Sequence, residues 1–108
     1  MADAYKVLYQ GQLGNSVATL ATVGASKSWI VKMITAVNTA SGSRTFGLYV
    51  NGTGVSNQVT SSSITLSANG TGFVWDGMSM TLAAGDTIAG GADVASKVTV
   101  TIFGDEVS

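Results

Sequence analysis

The 108-residue sequence contains no cysteine, no histidine and no proline. Without histidine and cysteine, the chain lacks the usual side chains for proton transfer near neutral pH, for thiol chemistry and for zinc binding. No disulfide is available to lower the entropic cost of ordering the chain. These absences argue against catalysis, so we expect a scaffolding or binding protein with no cofactor and no metal, and not an enzyme.

Charged residues are also scarce, at 10% of the sequence against roughly 25% in ordinary soluble proteins. The net charge is -1, and the five Lys and Arg residues are too scattered to follow a phosphate backbone. The first residues show no basic segment followed by an apolar one, which predicts neither a signal peptide nor a membrane span. We expect synthesis in a cytoplasm and a surface that contacts protein, not nucleic acid or membrane.

What the sequence does contain is short runs of alternating apolar and hydroxyl residues, separated by Gly, Ser and Asn. The run VTVTI at residues 98–102 is the clearest, and such alternation places one face of a strand on a core. The hydrophobic content of 45% is enough for one sandwich core in a chain of this length. We predict one all-β domain, a jelly-roll-like antiparallel β-sandwich of eight to nine short strands. Residues 16–108 form the sandwich, and residues 1–15 form an N-terminal strand or arm that contacts a partner.

The glycine-rich breaks set the limits of the predicted strands. They predict strands over residues 5–9, 17–23, 29–37, 46–50, 64–66, 73–75, 78–82 and 87–88, and a last strand from residue 98. Asp76-Gly77 is expected to be a turn, and Gly90-Gly91 to be a break before the last strand. Asn51-Gly52 and Asn69-Gly70 are typical of turns that need positive φ.

The predicted strand over residues 29–37 is apolar on both faces. Strict alternation places Val31, Met33 and Val37 on one side and Ile30, Ile34 and Ala36 on the other. Both faces are therefore expected to be covered by protein, and another subunit is a candidate cover for one of them. Together with the N-terminal aromatic segment, this gives a candidate interface of Tyr5, Leu8, Tyr9, Trp29, Val31 and Met33.

Two residue sets have a functional and a structural interpretation. Asp76, Asp86 and Asp93 are potential calcium ligands, but Asp beside Gly is a common turn pair, and we favour turns. Trp29 and Trp75 are able to form a sugar-stacking platform if they are exposed, as in a carbohydrate-binding module. Aromatic residues in short strands more often pack in a core or an interface, which we favour here.

Four segments carry a recurring pattern of strands and turns: residues 20–39, residues 44–52 with the strand end LYVNG, residues 82–88 with the turn LAAGDTI, and the last strand over residues 98–104. Together these segments resemble small β-sandwich structural proteins of tailed bacteriophages. The resemblance covers most of the chain from residue 19 to residue 106. The chain departs from the family pattern at Gly24, where proline is usual, and in its proline-free loops.

The resemblance implies a capsid decoration, or cement, protein. Such a protein binds the shell of major capsid protein, most often as a homotrimer, and stabilises it at the capsid surface of the virion. A neck, tail-tip or fibre-associated sandwich of the virion is the alternative within the same fold, and a carbohydrate-binding module is the alternative of another class. We expect residues 1–15 to lie on the capsid.

Overall fold

The computed structural model of the chain describes residues 3–60, 64–69 and 72–107. Its strands are β1 (Asp3–Gln12), β2 (Ala18–Thr22), β3 (Ser28–Asn38), β4 (Arg44–Val50), β5 (Ile64–Leu66), β6 (Gly72–Leu82), β7 (Thr87–Ala92) and β8 (Val98–Val107). A 3-10 turn, Val55–Asn57, lies between β4 and β5. Sheet A has the strand order β1-β8-β3-β6, and sheet B has the order β2-β7-β4-β5. All strand pairs are antiparallel.

This strand order is that of an eight-stranded jelly roll. Every connection except that between β4 and β5 crosses from one sheet to the other, so each sheet is assembled from strands distant in sequence. The predicted all-β sandwich is therefore confirmed, and the described strands number eight. In the described part of the chain, no helix is long and apolar enough to cross a membrane.

The space between the two sheets is filled by apolar side chains. Those with at most 2% of their surface exposed are Leu13, Val23, Val31, Ile34, Ala36, Phe46, Leu48, Ile88, Val98, Val100 and Ile102. Burying one large aliphatic or aromatic side chain contributes roughly 1.5–3 kcal/mol. Alternation of apolar and hydroxyl residues correctly predicted this inward face for β8, where Val98, Val100 and Ile102 point into the core.

The faces of β3 differ from the prediction because a β-bulge interrupts the strand. The register with β8 passes from Val31 opposite Gly104 directly to Met33 opposite Phe103, which leaves Lys32 as an extra residue. Beyond the bulge the pattern shifts by one, so Val31 and Ile34 both point inward while Met33 points outward. The prediction that Val31 and Met33 share a face was therefore wrong.

The two strands predicted on either side of Asp76-Gly77 are one strand, β6. Asp76 pairs with Met33 and Met80 pairs with Val31, so residues 77–79 form a bulge opposite the bulge at Lys32. The turn predicted at Asp76-Gly77 was wrong because a bulge and a turn have the same sequence signal, an Asp-Gly pair between apolar runs.

Gly90 and Gly91 also lie within a strand, and the predicted break before the last strand was wrong at this position. A Cβ at Gly91 would lie 2.8 Å from the backbone of Ser16 and Val17, and one at Gly90 would lie 3.0 Å from Leu48. These glycines are explained by the close approach of other groups to both faces of β7, not by a turn.

The turn predicted at residues 83–86 is present and is fixed by two residues. Gly85 has φ 88°, which a side chain rarely tolerates, and the N–H of Asp86 donates to the carbonyl of Ala83 at 3.0 Å. The Asp86 carboxylate in turn accepts a hydrogen bond from the N–H of Ala83 at 2.8 Å. The N–H of Val23 donates to the carbonyl of Asp86, so this turn also holds the end of β2.

Asn38, at the end of β3, joins the two sheets. Its side chain is fully buried, and its amide nitrogen donates to the carbonyl oxygens of Gly42, Leu66 and Ser67 at 2.9, 3.2 and 3.0 Å. Its amide oxygen accepts from the N–H of Ala40 at 2.9 Å. Because Leu66 belongs to sheet B, one side chain connects sheet A, the β3–β4 connection and sheet B.

The remaining turn predictions have mixed outcomes. Asn51 has φ 58°, as predicted, but it begins a long connection to β5 instead of a two-residue hairpin. Asn69 has φ 63°, and Gly70 lies outside the described residues. The first strand extends to Gln12, beyond the break predicted from residue 11.

Candidate interaction surface

The outward-facing side of sheet A, here called the open face, is assembled by the strand registers. Val7, Phe103, Met33 and Asp76 occupy one row across β1, β8, β3 and β6. Phe103 and Met33 are half-buried. Val7 is 47% exposed, which is the largest exposed fraction among the large hydrophobic residues described. The middle of the open face is therefore apolar.

Neighbouring rows of the open face carry hydroxyl and amide groups. One row contains Gln10, Thr101 and Thr35, and the amide nitrogen of Gln10 donates to the hydroxyl of Thr101 at 3.0 Å. The next row contains Gln12, Thr99 and Val37. An apolar centre beside uncharged polar groups is the usual composition of a protein–protein interface.

Two charged residues lie near the centre of the open face. Lys32 is exposed although β3 is a central strand, so its side chain leaves the sheet on the outward side. Asp105, on the neighbouring strand β8, lies opposite Ile30 and alternates with the inward residues Gly104 and Glu106. Neither Lys32 nor Asp105 forms an ion pair with another residue that the structure describes.

A small polar cluster holds β1 at one end of sheet A. Lys6 Nζ donates to Glu106 Oε1 at 2.9 Å, and Trp29 Nε1 donates to Glu106 Oε2 at 3.0 Å. The hydrogen bond from Lys6, followed by that from Trp29, lowers the pKa of the Glu106 carboxyl below its ordinary value. Because the carboxylate is in contact with solvent, screening keeps the energetic weight of this ion pair small.

The outward side of sheet B differs because the chain itself covers it. Ser16 and Val17, in the β1–β2 connection, lie directly over Gly91. Tyr49 and Ala89 are paired outward-facing residues, and they are only 6% and 0% exposed. The β4–β5 connection pairs with β4 through a bridge from Tyr49 to Gln58.

The structure describes the side chains of five of the six candidate interface residues, and these lie in three environments. Trp29 and Val31 belong to the core and are 6% and 0% exposed. Leu8 and Tyr9 are half-buried and pack against the core, with Leu8 at a β1 bulge. Met33 lies on the open face, and the side chain of Tyr5 lies outside the described residues. Contact of these residues with another chain stays a prediction.

Val7 and Phe103 were absent from the candidate set although they form the exposed apolar row. A signal for Phe103 was available, because in the run VTVTIF its position shares a face with Thr99 and Thr101. Val7 had the same signal, as it alternates with the neighbouring residues of β1.

The residues considered as calcium ligands or as a sugar-stacking platform have structural roles. Asp86 accepts a hydrogen bond within its turn, and the Asp93 carboxylate accepts one from the N–H of Thr45 at 3.2 Å. Asp76 lies within β6. No group of three metal-ligating residues and no pocket is found among the residues described. Trp75 is half-buried and packs, like Trp29, with the core.

No protein-family model matches this sequence, and no curated protein sequence matches it. Similar solved structures include a protein of Bacillus endospore appendages, which are disulfide-linked pili (17% identity, TM-score 0.46, 99% of this chain and 87% of that chain). The Tobacco streak virus coat protein is also similar (9% identity, TM-score 0.47, 98% of this chain and 85% of that chain). A third is the virus-like particle of the Macrobrachium rosenbergii extra small virus (15% identity, TM-score 0.48, 100% of this chain and 81% of that chain). Viral coat proteins and a pilus protein are thus among the structural neighbours, and likeness at this distance says nothing of function.

Proposed function

We propose that this chain is a virion structural protein, and specifically a capsid decoration (cement) protein of a tailed bacteriophage. It binds the shell of major capsid protein as a homotrimer at the capsid surface. The observation that carries the proposal is the jelly-roll strand order combined with a core filled by apolar side chains. Jelly rolls serve chiefly as viral capsid domains, lectins and cupins.

The filled core favours the structural class over the other two jelly-roll classes. A ligand between the sheets would have to displace side chains such as Phe46, Leu48 and Ile102, which are fully buried. A sugar-stacking platform would need exposed aromatic rings, whereas Trp29 is 6% exposed. The sequence resemblance to phage β-sandwich proteins supports the same choice.

The mechanism of stabilisation is mass action. A protein that binds only the expanded shell adds its binding free energy to the stability of that state, at many equivalent sites. We propose that the N-terminal segment, residues 1–15, contacts the shell. Its strand β1 forms one edge of sheet A, and Lys6 on that strand is exposed.

The test of the proposal is the number of copies per purified particle, measured by quantitative mass spectrometry. Hundreds of copies, with a trimer mass in solution, are expected for a cement protein. Roughly six to a few dozen copies would instead favour the neck, tail tip or fibres. Absence from particles would contradict any virion role.

Lysine cross-linking of decorated particles tests the shell contact. We expect cross-links to the shell from Lys6, at the β1 edge. Lys97 lies before the opposite end of β8 and provides the internal comparison. Cross-links from Lys97 in the absence of any from Lys6 would contradict the proposed orientation.

A further inference from the structure

We propose that the open face of sheet A binds the open face of a second copy of this chain. The two copies are related by a two-fold axis that runs parallel to the strands, between β3 and β8. Such a contact differs from the three-fold contact of the proposed trimer and would join neighbouring trimers. It rests on the registers, charges and exposures of sheet A, and it stands whether or not the cement function is correct.

The strand order makes the centre of the face self-complementary, and at its margins it places Val7 opposite Asp76 of the second copy. β8 and β3 are the two central strands of sheet A, so rotation about an axis between them places β3 of one copy over β8 of the other. Positions that share a row remain level with each other after this rotation. Met33 and Phe103 share a row, so each Met33 faces Phe103 of the second copy, twice in the interface.

The charges near the centre become complementary under the same rotation. Lys32 lies between the rows of Val31 and Met33, and Asp105 lies opposite Ile30, less than two rows away along β8. With sheets about 10 Å apart and about 3.3 Å between residues along a strand, the two Cα atoms are separated by roughly 11 Å. An extended Lys and an Asp side chain span that distance with a hydrogen bond between them. The interface would therefore contain two Lys32–Asp105 ion pairs.

The size of the open face is sufficient for a specific contact. Four strands about 4.8 Å apart and about ten residues long give a face of roughly 600 Å². Two such faces bury roughly 1,200 Å² in total, which is the lower limit of standard-size interfaces. The expected contact is therefore a weak one that repetition on a particle would strengthen.

The other surfaces of the sandwich are less suited to a second copy. The edges of sheet A, β1 and β6, both carry bulges, which interrupt the backbone groups that an added strand would need. The outward side of sheet B is covered by the chain itself at Gly91, Tyr49 and Ala89. Of these three surfaces, the open face is the one that the described residues leave uncovered and without an interrupted edge.

Charge reversal tests the contact in the full chain. Sedimentation velocity over a range of concentrations is expected to show self-association that Lys32→Asp and Asp105→Lys each weaken by about tenfold or more, because like charges then face each other. The double variant, Lys32→Asp with Asp105→Lys, is expected to restore association because the pair is exchanged. Lys97→Asp, at an exposed position in the β7–β8 connection, is the matched control and should leave association unchanged.

Three results would overturn the inference. One is a wild-type chain whose mass does not rise with concentration by the factor of two that a two-fold contact between its smallest species requires. Another is the failure of the double variant to restore association while its circular dichroism spectrum stays native. The third is loss of shell binding by the single variants with self-association unaffected, which would assign the open face to the shell. Copies per particle are counted separately, so failure of the two-fold contact leaves the cement proposal standing.

Discussion

The two sheets of this sandwich have similar inward faces and different outward faces. Sheet B has short edge strands, β2 and β5, and its own connections lie over Gly91 and pair with β4. Sheet A has edge strands of 10 and 11 residues and an outward face on which Val7 is 47% exposed. The chain thus covers one side of the sandwich with its own connections and leaves the other side uncovered by the residues that the structure describes.

The difference is visible in the residues that face outward. On sheet B they are small or fully covered, as at Gly91 and Ala89, because backbone lies directly above. On sheet A the outward-facing residues include threonines together with Phe103 and Met33, and both Phe103 and Met33 are only half-buried. A sheet face of this kind gains free energy when another surface covers its apolar residues.

The largest effect is expected where the two sheets are joined. Asn38→Ala removes four hydrogen bonds and leaves two buried and two partly buried backbone groups without these partners, so we expect a loss of about 3 kcal/mol in the free energy of unfolding. Urea denaturation followed by circular dichroism measures this loss. Asn15→Ala, in the exposed β1–β2 connection, is the matched control and should change the free energy by less than about 0.5 kcal/mol. Equal effects of the two substitutions would show that Asn38 does not join the sheets.

The covering of sheet B is tested by Gly91→Ala. The added Cβ would meet the Ser16 and Val17 backbone at 2.8 Å, so the β1–β2 connection must move, at a cost of about 2 kcal/mol. Hydrogen exchange should accelerate at the N–H of Ala92, which donates to the carbonyl of Gly14 at 2.9 Å. Gly14→Ala is the control because its nearest heavy atom lies 4.0 Å away. Unchanged exchange at Ala92 in Gly91→Ala would argue that the connection does not lie over β7.

The openness of sheet A is tested by a polar substitution of similar shape. Val7→Thr is expected to change the free energy of unfolding by less than about 0.5 kcal/mol, because this position is already half exposed. Val100→Thr, at a fully buried position on the neighbouring strand, should cost about 2 kcal/mol because it places a hydroxyl in the core. Urea denaturation of both variants gives the comparison, and similar losses would mean that the outward face is as dry as the core.

The smallest effect concerns the end of sheet A at which Lys6 and Trp29 bind Glu106. The folded pKa of Glu106 lies below its ordinary value of 4.5, so its contribution to stability is present above that pH and is lost as the pH falls through the folded pKa. Glu106→Gln should therefore reduce the dependence of unfolding free energy on pH below about 4.5. Glu106 is the only glutamate in the sequence, so the ¹³C signal of its carboxyl reports the titration directly. A carboxyl that titrates at or above its ordinary pKa would contradict the hydrogen bonds from Lys6 and Trp29.

The sequence predicted the strands well where apolar and hydroxyl residues alternate, as in β8 and in β4, because period two has one structural solution. It predicted poorly where two structures share a signal. The bulge at Lys32 leaves no signal in the sequence because β3 is apolar on both faces. The Asp76-Gly77 pair in β6 is equally typical of a turn. Glycine is needed at positions 90 and 91 because Leu48 and Ser16 approach the backbone there. Both of these residues are distant in sequence, so the local sequence pattern could not predict the contact.

The candidate surface was only partly predictable for a related reason. An alternating strand shows which residues share a face, but the identity of the outward face and its neighbours depends on strand order. Phe103 and Met33 are 70 positions apart in numbering and meet only because β8 lies beside β3. Lys32 and Asp105 are likewise close in space only because β8 lies beside β3.

That adjacency also has a consequence for the time course of folding. β8 is synthesised after the seven other described strands, yet it lies between β1 and β3 in sheet A. Until the ribosome has released residues 98–107, β1 has no neighbour in its sheet, and β3 has one unpaired edge. Pairings such as Asp3 with Val107 span nearly the whole chain, and contacts of such high order slow folding. The nascent chain therefore keeps β1 and one edge of β3 unpaired until β8 is available, and in that interval aggregation competes with folding.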